Sequence, residues 1–445
     1  MLRAGVIPAY FYKKDVMMMT YDESLNYLEN LCKFGINLGL TRIEKLLELM
    51  NHPERKFKTI HVTGTNGKGS TTAMLASILT AAGIKTGMYT SPHLSEYTER
   101  IVVNGREALP EQFANAIEYT SQFVDKIILD GLDHPTEFEV LTAAAFYHFA
   151  SCGVEYAVIE VGLGGLLDST NVIMPEVAVI TNVTLDHIDK CGNSIADIAK
   201  HKAGIIKEGI QVVTGAQGEA LDCIKEVVKE KNAVLYSYGK EFSAQFAGVV
   251  GHQQQVEVTT KDEGIAETFL LNLLGHHQVD NCGVAVMTAL LLGKKDGRIT
   301  LASIQKGLGK VFWPGRFEVI PGQPTLIIDG AHNLDGARSL RKNLDTFYAG
   351  KEIVFLLGIL QDKDVKGIVN TLICPKDKVV VVAPMSERAG NPQDIAREIE
   401  AAHVETASSI RNGLSQAYKL TEKQGVICVA GSLYLVGSAR KIICE

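Results

Sequence analysis

The run Gly64-Thr65-Asn66-Gly67-Lys68-Gly69-Ser70 concentrates residue types that handle anions. Three glycines and a lysine lie between an apolar, β-branched stretch (Lys58 to Thr63) and a helical pattern (Ser70 to Ala82). Strand, glycine-rich turn and helix together aim backbone N–H groups and a helix N-terminus at an anion. Glycine lets the backbone approach phosphate oxygens without a Cβ in the way. Gly64, Thr65, Asn66, Gly67, Lys68, Gly69 and Ser70 are therefore expected to hold nucleotide phosphates. Lys68 supplies a point charge, and Ser70 or Thr71 a hydroxyl for magnesium. The spacing differs from G-x-x-x-x-G-K-[ST], since the first glycine is too close and Gly69 follows the lysine. A tight structural turn with a solvated lysine is the alternative.

Other polar groups follow apolar strands, where open α/β sheets bind ligands. Glu160 closes the strand Tyr156 to Val161 and opens a glycine-rich loop, which suits a magnesium ligand as well as a helix cap. Asp186 and His187 follow the strand Val177 to Thr181, and Ser91 follows Thr86 to Thr90. Lys202 falls in a helix, Ala196 to Ile206, where a solvated lysine is the default. Arg316 stands in Trp313-Pro314-Gly315-Arg316-Phe317-Glu318, placed either to reach phosphates or to make a structural ion pair. Asp329-Gly330-Ala331-His332-Asn333 follows a strand, Thr325 to Ile328.

Short apolar runs alternate with helical patterns throughout, including helices at Phe138 to Ser151 and Ser194 to Lys207, which predicts an α/β protein with mainly parallel sheet. The polar, alternating segment from Val234 to Leu274 reads as a small antiparallel β-insertion. With 445 residues, more than one domain is expected. The boundary is placed near residue 312: an ATP-binding part over 1–311, and a Rossmann-like part over 312–445 built on strands at Leu326 to Ile328, Ile353 to Leu357, Val379 to Val382 and Val426 to Val429. A net charge of −7 gives no electrostatic case for nucleic acid or an anionic membrane as partner. The eight cysteines show no C-x-x-C pairing, as expected of reduced thiols in a cytoplasmic protein. Met17-Met18-Met19 offers an alternative start.

In order, these motifs together resemble the folylpolyglutamate synthase/dihydrofolate synthase family of the Mur-ligase superfamily. The resemblance runs from about Tyr21 to Arg440. It rests on Thr63 to Ser70, Ser91-Pro92-His93-Leu94, Thr136-Glu137-Phe138-Glu139, Glu160 to Asn171, Asp186-His187, Lys202-Ala203-Gly204-Ile205, Pro314 to Glu318 and Asp329 to Asn333. It implies an N-terminal P-loop ATPase domain, a C-terminal Rossmann-like domain, and ATP between them. It further implies that Ser91, Glu160 and His187 bind Mg²⁺, and that Asn281, Arg316, Asp329 and His332 complete nucleotide binding and closure. Lys202 matches a lysine that the family carbamylates. Thr136, Phe138 and Asp168 match residues lining a pterin pocket. The implied reaction adds L-glutamate to folates, dihydropteroate or both through an acyl phosphate, in a monomer.

The chain departs from the family's pattern at Leu166, where arginine is usual, at Ser169 for alanine, at Cys191 for leucine, and at His201 for glutamate. Leu166 and Ser169 keep open a superfamily ligase for another carboxylate and amino acid. A nucleotide-binding regulator without ligase activity fits less well, because Lys68, Glu160, His187, Arg316 and Asp329 are all present.

Overall fold

The computed structural model describes residues 19–35, 37–185, 192, 194–261 and 264–444. Asp186, His187 and Cys191, together with the segment before Met19, lie outside the described residues. The larger sheet contains β1 (Lys58–Thr63), β2 (Thr86–Tyr89), β3 (Ile101–Val103), β4 (Arg106–Glu107), β5 (Tyr156–Glu160), β6 (Val177–Ile180), β7 (Gln211–Thr214) and β8 (Val234–Ser237). Their order is β4-β3-β2-β5-β1-β6-β7-β8, parallel from β2 to β8. The β2–β3 and β3–β4 pairings, at one edge, are antiparallel.

β5 and β6 are buried along their whole length, and β1 at every residue after Lys58. Burial on both faces explains their continuous apolar runs. One face packs against the helices Lys68–Ala81 and His276–Gly293, the other against Pro110–Leu129 and Glu137–Ser151. Register does the positional work. Val62 lies opposite Glu160 and Thr63 opposite Ile180, so the loops leaving β1, β5 and β6 emerge side by side.

The segment expected to form one β-insertion divides in two. β8 pairs parallel with β7 and extends the main sheet. Only β9 (Phe242–Val250), β10 (Gln253–Thr260) and β11 (Ala266–Leu271) make the separate antiparallel sheet. Alternating burial along β10 accounts for its period-two pattern, whereas β8 is a half-exposed edge with little signal of its own.

The third sheet has six strands where four were expected: β12 (Glu318–Ile320), β13 (Thr325–Ile328), β14 (Ile353–Leu357), β15 (Lys378–Val381), β16 (His403–Thr406) and β17 (Val426–Ala430), in the order β12-β13-β17-β14-β15-β16. The additional β12 and β16 are edges, one short and both largely half-buried, so neither carries a strong apolar run. The helix expected over Ala196 to Ile206 spans Ile195–Ala203 and ends against Gly204. Among the described residues no helix is long and apolar enough to cross a membrane.

The helix Leu301–Leu308 lies across Lys68–Ala81 at very close range. A Cβ on Gly307 would stand 2.5 Å from Ile78 Cα, and Ser77 Oγ donates to the Gly307 carbonyl at 2.8 Å. Backbone cannot yield as a flexible side chain can. Gly307→Ala is expected to lower unfolding free energy by about 1–3 kcal/mol, measurable by urea denaturation; an unchanged midpoint would show that the two helices separate freely.

Candidate nucleotide and ligation site

The helix expected from Ser70 begins two residues earlier, at Lys68, with Gly67 as its N-cap at φ +83°. Gly67 has no side chain to cap the helix, and the helical ladder starts with Thr71 N donating to the Gly67 carbonyl. The N–H groups of Lys68, Gly69 and Ser70 are thus left for an external acceptor. A Cβ at Gly67 would collide with the Asn281 amide, and one at Gly64 with the Thr181 hydroxyl. These two glycines are fixed by close approach as well as by backbone conformation.

The loop is braced from the exit of β6. Thr65 N donates to Asn182 O at 3.0 Å, Asn66 N to Asn182 Oδ1 at 2.8 Å, and Thr181 Oγ1 to Asn66 O at 2.6 Å. Thr65 Oγ1 donates to Thr184 O at 3.1 Å. On its other side, Gln278 donates to Ser70 Oγ at 3.1 Å and accepts from Asn281 at 2.9 Å. Asn281 is therefore tied to the loop through Gln278. Lys68 Nζ folds back onto the carbonyls of Gly64 and Thr65, at 3.0 and 3.1 Å. Lys202, expected to be solvated by default, is 5% exposed and donates to that same Gly64 carbonyl at 2.8 Å.

Glu160 is buried, and its Oε2 accepts from Ser91 N at 3.2 Å. Burial pushes its carboxyl up to about 7, against the opposing pull of Lys68, the Ser91 N–H and Arg316. A cation bound here would offset that burial. Among the described residues no cluster of three or more histidine, cysteine or acidic side chains could cage a metal. Glu160 with the Ser91 hydroxyl instead suits magnesium, which takes one or two carboxylates and completes its shell with phosphates and water. Ser70 retains its hydroxyl next to the loop, whereas the Thr71 hydroxyl is buried with no hydrogen-bond partner.

Arg316 acts electrostatically on both Glu160 and Asp329. Asp329 accepts from Phe317 N and Ala331 N, both at 2.8 Å, and so ties β13's exit to the 313–318 turn. Phe317 sits at φ +48°, where a bulky residue is strained, and the Asp329 bond holds it there. His332 Nδ1 pairs with the Gly330 carbonyl at 2.7 Å. The structure thus brings Gly64 to Ser70, Asn281, Lys202, Ser91, Glu160, Arg316 and Asp329 into one neighbourhood, with His332 on the same loop as Asp329.

Thr136, Phe138 and Asp168 form a second group. Thr136 caps the helix Glu137–Ser151 in a reciprocal box with Glu139, itself bridged to Arg42 at 3.1 Å. Asp168 accepts from the N–H groups of Leu163 and Thr170 and caps the short turn Ser169–Val172. A Cβ on Gly162 would meet the Phe138 ring at 2.6 Å and Asp168 Oδ2 at 3.2 Å, so these two flank this glycine, with Thr136 capping the helix that carries Phe138. Leu166, half exposed, donates its backbone N–H to the His201 carbonyl at 2.8 Å and covers Gly204.

The sequence reading gave no role to Trp313 or Gln278. The Trp313 ring lies over the phosphate loop, where a Cβ on Gly69 would stand 2.7 Å from it. The glycine after the lysine is the one signal that could have pointed to such a cover.

The sequence matches the Mur ligase middle domain over residues 62–289 and the Mur ligase glutamate ligase domain over 315–433. It is 32% identical over 431 residues to the dihydrofolate synthase/folylpolyglutamate synthase of Bacillus subtilis, covering 96% of this chain and 99% of that protein. The chain belongs to the folylpolyglutamate/dihydrofolate synthase family of Mur ligases. It is accordingly an ATP-dependent ligase. A folylpolyglutamate synthase from Lacticaseibacillus casei is 34% identical over 96% of this chain and 99% of its own. Among solved structures, the Thermotoga maritima folylpolyglutamate synthase superposes with a TM-score of 0.86 at 34% identity, covering 96% of this chain and 97% of that one. The Mycobacterium tuberculosis folylpolyglutamate synthase, solved with ADP and AMPPCP, gives 0.84 at 31% identity, covering 96% and 99%.

The carboxyl of Glu160 lies above its ordinary value of 4.5, so folding penalises the ionised form. That penalty is absent below about 4.5 and complete above about 7. Glu160→Gln should therefore gain stability over the parent as pH rises through this window, by on the order of 3 kcal/mol. Urea unfolding of both proteins without nucleotide or metal checks this; a pH-independent difference would contradict it.

Proposed function

We propose that this chain joins L-glutamate to folates, to dihydropteroate or to both, consuming ATP and releasing ADP and phosphate. The observation that carries the reading is Glu160, a buried carboxylate set between Ser91, Lys68 and Arg316 at the mouth of a phosphate loop with open N–H groups. The N–H groups of Lys68, Gly69 and Ser70 bind the nucleotide's phosphates, and Asn281, Arg316 and Asp329 hold the rest of it. Magnesium held by Glu160, Ser91 and His187 would neutralise charge on the transferring phosphoryl group.

On binding, Lys68 exchanges the Gly64 and Thr65 carbonyls for phosphate oxygens. A substrate carboxylate then attacks the γ-phosphorus, giving an acyl phosphate. The amine of glutamate attacks that carbonyl, and phosphate leaves. Positioning and fixed charge carry such a reaction, with no protein nucleophile required. His332, on the loop with Asp329, completes the catalytic set as the two parts close about the junction near residue 312. Lys202, buried with its Nζ at the Gly64 carbonyl beside the phosphate loop, is placed to be carbamylated, a change that would replace its positive charge with a carboxylate facing the metal site. Thr136, Phe138 and Asp168 take the pterin. Half-exposed Leu166 beside the Asp168 loop favours, as second reading, a different carboxylate substrate.

The test is phosphate release with ATP, Mg²⁺ and L-glutamate, with dihydropteroate or tetrahydrofolate as the carboxylate. Turnover with at least one of them is expected. None with either, but turnover with another carboxylate, would establish the second reading. Lys68→Ala is expected to lower kcat by on the order of a hundredfold or more, and a fully active variant would refute the phosphate-loop assignment.

A further inference from the structure

One buried polar side chain of the larger sheet has no part in the ligation chemistry: His61, inside β1. It lies opposite Ile159 of β5 and Ala178 of β6, at the centre of the sheet. Its strand neighbours Ile60 and Val62 belong to the apolar core on the other face. An aliphatic residue would avoid the cost of burying an imidazole. The polar atoms of His61 are therefore where its role has to lie.

Its Nε2 stands 2.8 Å from Thr170 Oγ1, and that hydroxyl donates to Asp168 Oδ1 at 2.5 Å. Thr170 N donates to the same oxygen at 3.0 Å. His61 Nδ1 is buried with no hydrogen-bond partner. These bonds select one tautomer. A proton on Nδ1 would bury an unmatched donor, and Nε2 would then draw the Thr170 proton away from Asp168. With the proton on Nε2, His61 donates to Thr170, and the single Thr170 proton goes to Asp168. Burial, with the Lys207 charge, pushes the imidazole down to about 3 and so keeps it neutral. Oδ1 of Asp168 carries both Thr170 bonds, while Oδ2 flanks Gly162 together with the Phe138 ring. Burial pushes the Asp168 carboxyl up, and the Thr170 hydroxyl leads the groups that oppose the rise. Donors of fixed direction thus keep a buried carboxylate both anionic and oriented.

We propose that His61 is a positioning residue for the carboxylate substrate: through Thr170 it fixes the Asp168 carboxylate in the direction that accepts the N–H donors of a pterin. The inference rests on the proposed function. It assigns a role to a strand residue that touches no substrate and acts only through a relay of two hydrogen bonds.

The experiment measures kcat, KM for the pterin-bearing carboxylate and KM for ATP in the parent and in variants of both residues. Thr170→Val keeps the shape and removes the hydroxyl. Its carboxylate KM should rise about tenfold, as the loss of a hydrogen bond to a charged group implies, with kcat and the KM for ATP close to the parent's. His61→Phe, and His61→Asn with an amide too short to reach Thr170, should raise the same KM by less. Neither should add to Thr170→Val in a double variant, because both substitutions break one chain. Thr170→Ser and His61→Gln keep the hydroxyl and an N–H donor, and should restore most of the parent KM. An unchanged carboxylate KM in Thr170→Val, or in both His61 variants, overturns the inference, as does full additivity in the double variant. A fall in kcat alone, shared by every substrate, also overturns it, since that is what a smaller folded fraction gives. A parent that turns over neither dihydropteroate nor tetrahydrofolate would instead remove the proposed function, and this inference with it.

Discussion

Two lysine ammonium groups converge on the Gly64 carbonyl, and the site is organised around that constraint. Lys68 arrives from the helix that follows the loop, and Lys202 from a helix more than a hundred residues away in sequence. One carbonyl oxygen cannot neutralise two charges, and at short range in a partly dry site their repulsion is not screened as it is in water. Anionic groups nearby relieve that repulsion, and the Glu160 carboxyl, on which Lys68 acts electrostatically, is one of them. A loop whose N–H groups are open and whose carbonyls already hold cations is prepared for phosphate before any arrives.

The surrounding structure maintains that preparation. Parallel register places the ends of β1, β5 and β6 together, so Gly64, Glu160 and Thr181 begin their loops as neighbours. The side chains of Thr181 and Asn182 then take up loop groups that would otherwise need water. Buried polar groups left unmatched cost more than matched ones return. The bracing therefore fixes one loop conformation more than it adds stability. Across the junction, the Asp329 carboxylate holds Phe317 in a strained backbone and brings Arg316 toward Glu160.

Local chemistry made part of this legible in the sequence. The phosphate loop announced itself through glycines and a lysine between a β-branched strand and a helix, and strand ends marked Ser91, Glu160 and Asp329. The buried strands were readable from their apolar runs, while β8, β12 and β16 were not, because edge strands bury too little to leave a pattern. Residues that act through distant partners were also silent. Lys202 looked like any helical lysine, and its contact with Gly64 depends on tertiary packing. Gln278 gave no hint that it would bridge Ser70 and Asn281. His187, expected beside Glu160, lies outside the described residues. The resemblance contributed what spacing alone could not, namely the expectation that Thr136, Phe138 and Asp168 line a pterin pocket.

Trp313 is the chain's single tryptophan, and its indole covers Gly69 while lining a cavity that reaches Glu160. Ultraviolet emission excited at the red edge of protein absorption therefore originates from one known place. The molecule carries a built-in optical probe at the seam between its nucleotide loop and its second sheet. Changes in that emission can be read as local events at the seam, with no label added and no background from elsewhere in the chain.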